Sequence, residues 1–238
     1  MHYLALLYGE ETEVAAPTEA IADEIARYDR FDELAGEAMV SGAALEPMEQ
    51  AIVVRHGDDG PVVTDGVFGE ATEVIGGLYV FEVDDLDDAI ALARSIPAVE
   101  DGAVELRPLE AWSESRRSLP EGARRYVVML AGPEIDASRP GTSGWDDGVA
   151  AHAQFGRAEA DAILGGGALQ PSESGTVLRV QDGELLITEG TLAEATEVIG
   201  GLYLLWADGR TQIERLAASI PMGPDGCVQV RPIMELDD

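Results

Sequence analysis

A chain of 238 residues holds one large domain or two of ordinary size, and its 46% hydrophobic residues suffice for a core despite a net charge of −31. The 46 acidic residues stand against 15 basic ones, all of them arginine, so the surface field repels nucleic acid and anionic membrane and excludes both as partners. No apolar run reaches the roughly 18 residues of a membrane span, and Met1-His2-Tyr3 opens directly on a strand-like segment with no basic stretch before it; a cytoplasmic protein is expected.

In chain order, His2 to Tyr8 is a short apolar run that reads as a buried strand. After Pro17, the stretch from Thr18 to Met39 places Ile21, Ile25, Tyr28 and Leu34 at helical spacing, with Thr18 as N-cap. Ala51 to His56 and Pro61 to Thr64 flank Gly57-Asp58-Asp59-Gly60 and read as a hairpin. Gly77 to Val83 is a further strand, Asp85 to Ile96 a second helix, and Ala103 to Leu106 a last strand. The same order returns with Tyr126 to Leu130, a helix around Gly148 to Ile163, a hairpin turning at Gln181-Asp182-Gly183, and a helix near Thr211 to Ile220. Gly165-Gly166-Gly167 reads as a helix-to-strand turn. Gly76-Gly77 and Gly200-Gly201 lack the Lys-Ser/Thr of a phosphate loop and read as close backbone approach or a bulge.

The return is a duplication. Thr64 to Tyr79 (TDGVFGEATEVIGGLY) and Thr188 to Tyr203 (TEGTLAEATEVIGGLY) agree at 12 of 16 positions, at an offset of 124 residues. That offset also relates Ala44-Leu45-x-Pro47 to Ala168-Leu169-x-Pro171, Ser95-Ile96-Pro97 to Ser219-Ile220-Pro221, and Arg107-Pro108 to Arg231-Pro232. One register held over four blocks gives two domains, 1–110 and 125–238, with a polar linker at 111–124 that carries Pro120 and Gly122. Each copy reads as βαβ followed by βαβ with an added hairpin. Split connections of this kind build a ferredoxin-like antiparallel sheet with both helices on one face. The expected fold class is α+β: two ferredoxin-like βαββαβ domains whose bare sheet faces pack together as an intramolecular pseudo-dimer.

The segment Thr64-Asp65-Gly66-Val67-Phe68-x-Glu70-x-Thr72-Glu73-x-x-Gly76-Gly77 resembles the signature of the YCII-related family, also called DGPF-domain proteins, with support from Leu7-Tyr8-Gly9, the Leu45-x-Pro47 segment and the terminal Arg-Pro. The resemblance covers nearly the whole of each copy. It implies a dimeric α+β barrel, here within one chain, and a catalytic pair made of a His on the first helix and the Asp of the tetrapeptide. The His falls at His152 in the second copy, where the first copy has Tyr28; the Asp falls at Asp65 in the first copy, where the second has Glu189. Neither copy holds the complete pair.

Two functional classes follow. In the first, His152 with Glu189 of its own copy, or with Asp65 of the other, performs general acid/base catalysis on a small polar metabolite; a His with a pKa near 6.5 moves protons at neutral pH. In the second, the chain is a non-catalytic small-ligand-binding or interaction module and the His is structural. No cofactor motif is present, and His2, His56 and His152 lack the short spacings of a metal site, so neither cofactor nor metal is expected. Glu70, Glu73, Glu194 and Glu197, with Thr72 and Thr196, read as capping residues before a cation site. Cys227 is alone and reads as a small core residue. The expected partner is a small molecule, and the expected state a monomer (pseudo-dimer) or a homodimer.

Overall fold

The apolar run near the N-terminus forms strand β1 (His2–Gly9), with five consecutive residues buried, the pattern of a strand covered on both faces. The computed structural model describes residues 1–10, 19–57, 60–66, 73–134, 139–192, 198–223 and 225–235. In chain order the first copy then contributes α1 (Glu19–Ala35), β2 (Met39–Ala44), β3 (Ile52–Gly57), β4 (Gly60–Asp65), β5 (Val74–Glu82), α2 (Leu86–Ala93), α3 (Ala98–Asp101) and β6 (Ala103–Glu114). The second contributes β7 (Arg124–Gly132), α4 (Ser143–Ala158), β8 (Ile163–Leu169), β9 (Thr176–Gln181), β10 (Glu184–Glu189), β11 (Val198–Ala207), α5 (Arg210–Ser219) and β12 (Cys227–Pro232). The class is mixed α+β, and every described strand pairing is antiparallel.

The chain divides into two units, and each takes residues from both copies. The first unit comprises Met1–Pro47, Glu70–Leu109 and Ser172–Glu194. Its sheet runs β2-β5-β1-β6, and the hairpin of the second copy continues it: β9 pairs with β6, Val104 opposite Leu178 and Leu106 opposite Thr176, and β10 pairs with β9. The second unit comprises Met48–Gly69, Glu110–Pro171 and Ala195–Asp238. There β8-β11-β7-β12 is continued by the hairpin of the first copy, with β3 on β12 and β4 on β3. The hairpins are thus exchanged between the copies, and apolar residues hold them in place. Leu178 belongs to the core of the first unit, with Val180 and Leu185 packed against it. Ile52 and Val54 belong to the core of the second.

In each unit the helices cover one sheet face. Phe31 and Ala35 of α1, Ala89 and Ala93 of α2, and Ile96 and Val99 pack on Tyr3, Ala5, Tyr79, Phe81, Val104 and Leu106. Phe155 of α4 and Ile213, Leu216 and Ala217 of α5 do the same over Tyr126, Val128, Leu205, Val228 and Val230. The alternation in β6 leaves Glu105 and Arg107 on the opposite face, buried to 3% and 1% exposure. Cys227 is fully buried.

Several boundaries differ from the sequence reading for local reasons. Helix α4 begins at Ser143 because the Thr142 hydroxyl accepts from the Trp145 amide at 3.2 Å; the Thr18 cap lies outside the described residues. Gly165 and Gly166 are not turn residues but lie within β8. A Cβ there would come 2.6 Å from the Ser113 carbonyl oxygen or 2.7 Å from that of Leu202, so the glycines permit tight strand packing. Gly76 and Gly200 do coincide with register shifts of β5 on β1 and of β11 on β7, the bulge expected of them. Asp182 and Gly183 both adopt positive φ, 54° and 81°, as a two-residue hairpin turn requires. Strand β6 continues to Glu114, into residues with the polar composition of a linker.

Candidate functional site

Helix α4 sets His152 and Phe155 three residues apart, on the side that faces β11. Tyr203 of β11 receives both. The phenol oxygen lies 2.9 Å from His152 Nδ1, and the Phe155 ring meets the Tyr203 ring edge-on at 5.2 Å. Both polar side chains are half-buried. Burial holds the imidazole below its ordinary value of 6.5 and pushes the phenol up to about 12. At neutral pH the ring is therefore uncharged and the phenol protonated. If Tyr203 donates into Nδ1, Nε2 carries the proton; if Nδ1–H donates to the phenol oxygen, Nε2 presents its lone pair. Among the described residues Nε2 has no partner. The arrangement can hold a proton on either nitrogen and give or take it at Nε2.

The two carboxylates named from sequence each end a hairpin strand. Asp65 ends β4 and is exposed, its Oδ1 accepting from Arg210 Nη2 at 2.6 Å within the second unit. Glu189 ends β10 in the first unit, exposed, opposite Thr176. The glycine that follows each acid has φ of 103° at Gly66 and 95° at Gly190. Its amide donates to the carbonyl of Ala51 or Gly175. The Asp-Gly and Glu-Gly pairs therefore close the exchanged hairpins, which explains much of their recurrence. Phe68, Glu70, Thr72, Glu194, Thr196 and Glu197 lie outside the described residues. Both oxygens of Glu73 accept from Arg179 Nη2, at 2.6 and 2.7 Å.

The equivalent place in the first unit has the same aromatic scaffold and different polar groups. Phe31 and Tyr79 stand 5.0 Å apart between α1 and β5, as Phe155 and Tyr203 do between α4 and β11. Tyr28, in the place of His152, is half-buried with its phenol pushed up to about 12, chiefly by burial. The Tyr79 hydroxyl donates to Asp32 Oδ1 at 3.0 Å; Gly156 is the residue of the second copy that matches Asp32. The first unit therefore offers a phenol on a carboxylate where the second offers a phenol on an imidazole.

A second polar group in the first unit escaped the sequence reading. Glu105 Oε2 accepts from the Leu192 amide at 2.9 Å and from the Tyr8 hydroxyl at 3.4 Å, and Oε1 accepts from Arg107 Nη1 at 3.4 Å. Burial raises the Glu105 carboxyl above its ordinary value, an effect that these three donors oppose. The signal was present in the alternation of Val104-Glu105-Leu106-Arg107, two charges on one face of a strand with an apolar opposite face. The second copy has Gly132, Gln229 and Arg231 at the positions of Tyr8, Glu105 and Arg107, so the carboxylate belongs to one copy alone.

The model of the YCII-related domain matches this chain twice, over residues 1–113 and 127–237. The chain belongs to the YCII-related family. Its tandem YCII-related domains correspond to the two sequence copies, while the structural units exchange their hairpins. A relative from Rhizobium meliloti (strain 1021), an uncharacterized protein, is 30% identical over 115 residues, 46% of this chain and 92% of that protein. The family's biochemical role is unclear, so the chemistry rests on the residues. No helix among the described residues is long and apolar enough to cross a membrane.

Proposed function

We propose that the second unit carries out general acid/base chemistry on a small polar metabolite, with His152 Nε2 as the group that moves the proton and Tyr203 as its positioning partner. The observation that carries this reading is the 2.9 Å contact between His152 Nδ1 and the Tyr203 hydroxyl. A partner at Nδ1 fixes ring orientation and couples the tautomer to the phenol, and partial burial keeps the imidazole neutral, the form a base requires. The carboxylate of Asp65, in the same unit, completes the proton path in this proposal. Asp65→Asn tests it.

The test is a metabolite screen of the purified chain, followed by the His152→Asn variant. Loss of turnover by about a hundredfold or more, with the fold intact by circular dichroism, is expected. Activity that survives His152→Asn within about twofold overturns the assignment. We infer further, from the family resemblance and from the strand orders β2-β5-β1-β6 and β8-β11-β7-β12, that the fold is the ferredoxin-like, sheet-to-sheet α+β barrel of a dimeric type within one chain. Distances between spin labels placed on β1 and β7 test it.

A further inference from the structure

In a chain with three acidic residues for every basic one, arginines gather at one cleft of the first unit. A cleft of about 280 Å³ between α1 and the segment joining α2 to α3 is lined by Arg27, Arg30 and Arg94 over an apolar floor that includes Phe31, Ile96 and Pro97. Arg27 is committed to the protein: its two terminal nitrogens donate to Glu100 at 2.6 Å and to Asp101 at 2.7 Å, which ties α1 to α3 and forms one wall. Arg30 and Arg94 have no hydrogen-bond or ion-pair partner among the described residues. Exposed carboxylates abound on this chain, so two guanidinium groups left over at one concave surface run against its general charge pattern.

The duplication supplies an internal control. At the offset of 124 residues the floor is kept, as Phe155, Ile220 and Pro221, the first two of which are core. The cations are not kept. Ala151, Gln154 and Ala218 stand at the positions of Arg27, Arg30 and Arg94, and the local sequences differ there by one residue, Leu92-Ala93-Arg94-Ser95-Ile96-Pro97 against Leu216-Ala217-Ala218-Ser219-Ile220-Pro221. The fold therefore does not require the arginines, and their presence in one copy calls for another cause.

We propose that this cleft binds a small oxyanion, a carboxylate or a phosphate monoester with a compact apolar body. The head group is held by Arg30 and Arg94, and the body lies against Leu34, the exposed apolar side chain of the lining. Guanidinium groups suit the head group because they give charge-assisted, paired hydrogen bonds to its oxygens. A volume of 280 Å³ limits the ligand to about the size of an aryl acid. The net charge of −31 opposes nonspecific anion binding, so saturable binding of an anion is itself diagnostic.

The test is calorimetric titration of the full chain at low ionic strength with benzoate and with phenyl phosphate. Acetate and inorganic phosphate serve as headgroup-only probes, and benzyl alcohol as the uncharged one. The variants Arg30→Gln and Arg94→Ala install the residues of the second copy, which the same local structure already accommodates. We expect one molecule of benzoate or phenyl phosphate per chain, the tighter of the two identifying the head group. Each variant should weaken binding about five- to tenfold and the double variant should abolish saturation, with the thermal midpoint unchanged. Absence of saturable binding by both aryl anions overturns the proposal. So does an undiminished affinity in the double variant, or acetate, phosphate or benzyl alcohol binding as tightly as the aryl anions.

Discussion

The places where α1 meets β5 in the first unit and α4 meets β11 in the second began as the same site and have diverged. Both keep a phenylalanine on the helix and a tyrosine on the strand, Phe31 with Tyr79 and Phe155 with Tyr203, because that pair fills the space between helix and sheet. What differs is the group on the tyrosine hydroxyl: Asp32 at 3.0 Å in one unit and His152 at 2.9 Å in the other. A phenol on a carboxylate is a stable ground-state pair, since the carboxylate accepts and the phenol keeps its proton. A phenol on a neutral imidazole has two tautomers and can change between them. Packing is thus conserved across the duplication and proton chemistry is not. The opposite face of the first sheet differs in the same way, where Glu105 replaces the neutral amide of Gln229.

The largest effect that sharpens this difference is expected at Glu105. Glu105→Ala leaves the fully buried Arg107 guanidinium without that carboxylate and removes the acceptor of the Leu192 amide, a loss of about 3 kcal/mol in urea unfolding. Gln229→Ala, with no charge removed, costs about 1–2 kcal/mol. Equal losses at the two sites would show that the carboxylate does nothing that an amide does not. The pH dependence has a definite sign. The folded-state carboxyl titrates above the unfolded value of 4.5, so folding favours the protonated form, and this contribution is present at low pH and is lost as pH rises through the folded-state value. Glu105→Gln removes that slope.

A smaller effect separates the two tyrosines. Tyr79→Phe removes a hydrogen bond to the Asp32 carboxyl and should cost about 1–2 kcal/mol, and Tyr203→Phe removes one to a neutral ring and should cost about 1 kcal/mol or less. Thermal unfolding of the two variants, with wild type as reference, measures the difference. If Tyr203→Phe is the more destabilising, the imidazole in the second unit is more tightly held than a half-buried neutral pair allows.

Much of the architecture was legible because it repeats. Helical spacing placed Tyr28 on the packed side of α1 but also named Ile25 and Leu34, which are exposed, while the buried residue is Phe31; turn residues placed both hairpins. The partners of those hairpins were not legible. β3 and β9 each open on three consecutive buried residues whichever copy supplies the neighbouring strand, so the local sequence marks a strand and leaves its partner open. His152 could be found from the resemblance, but Tyr203 could not be tied to it, since 51 residues separate them and the tyrosine recurs in both copies as a core residue. Asp65 and Glu189 drew attention as acids, while the left-handed glycines behind them show a turn requirement strong enough to keep the dipeptide in place. Glu105 is not legible from sequence because a charge inside an apolar strand asks for a partner only once the strand is known to be buried.

The subtlest effect is carried by His152 itself. Burial holds its folded-state pKa below 6.5, so the folded chain prefers the neutral ring more than the unfolded chain does. The corresponding stability is fully present above pH 6.5 and is lost as pH falls through that value toward the folded-state pKa. His152→Tyr, which installs the residue of the first copy, removes this ionisation and should flatten the stability profile below pH 6.5 while leaving the neutral-pH midpoint nearly unchanged. The ring protons of His152, followed by NMR across the same range, should titrate below the ordinary imidazole value of 6.5. A His152 that titrates at or above 6.5 would mean that the ring is solvated, and a solvated imidazole loses the argument for a neutral base held against Tyr203. If the delayed titration moves back toward the ordinary value in Tyr203→Phe, the phenol helps to keep the ring neutral; if it does not move, burial alone sets the protonation state and Tyr203 governs orientation only.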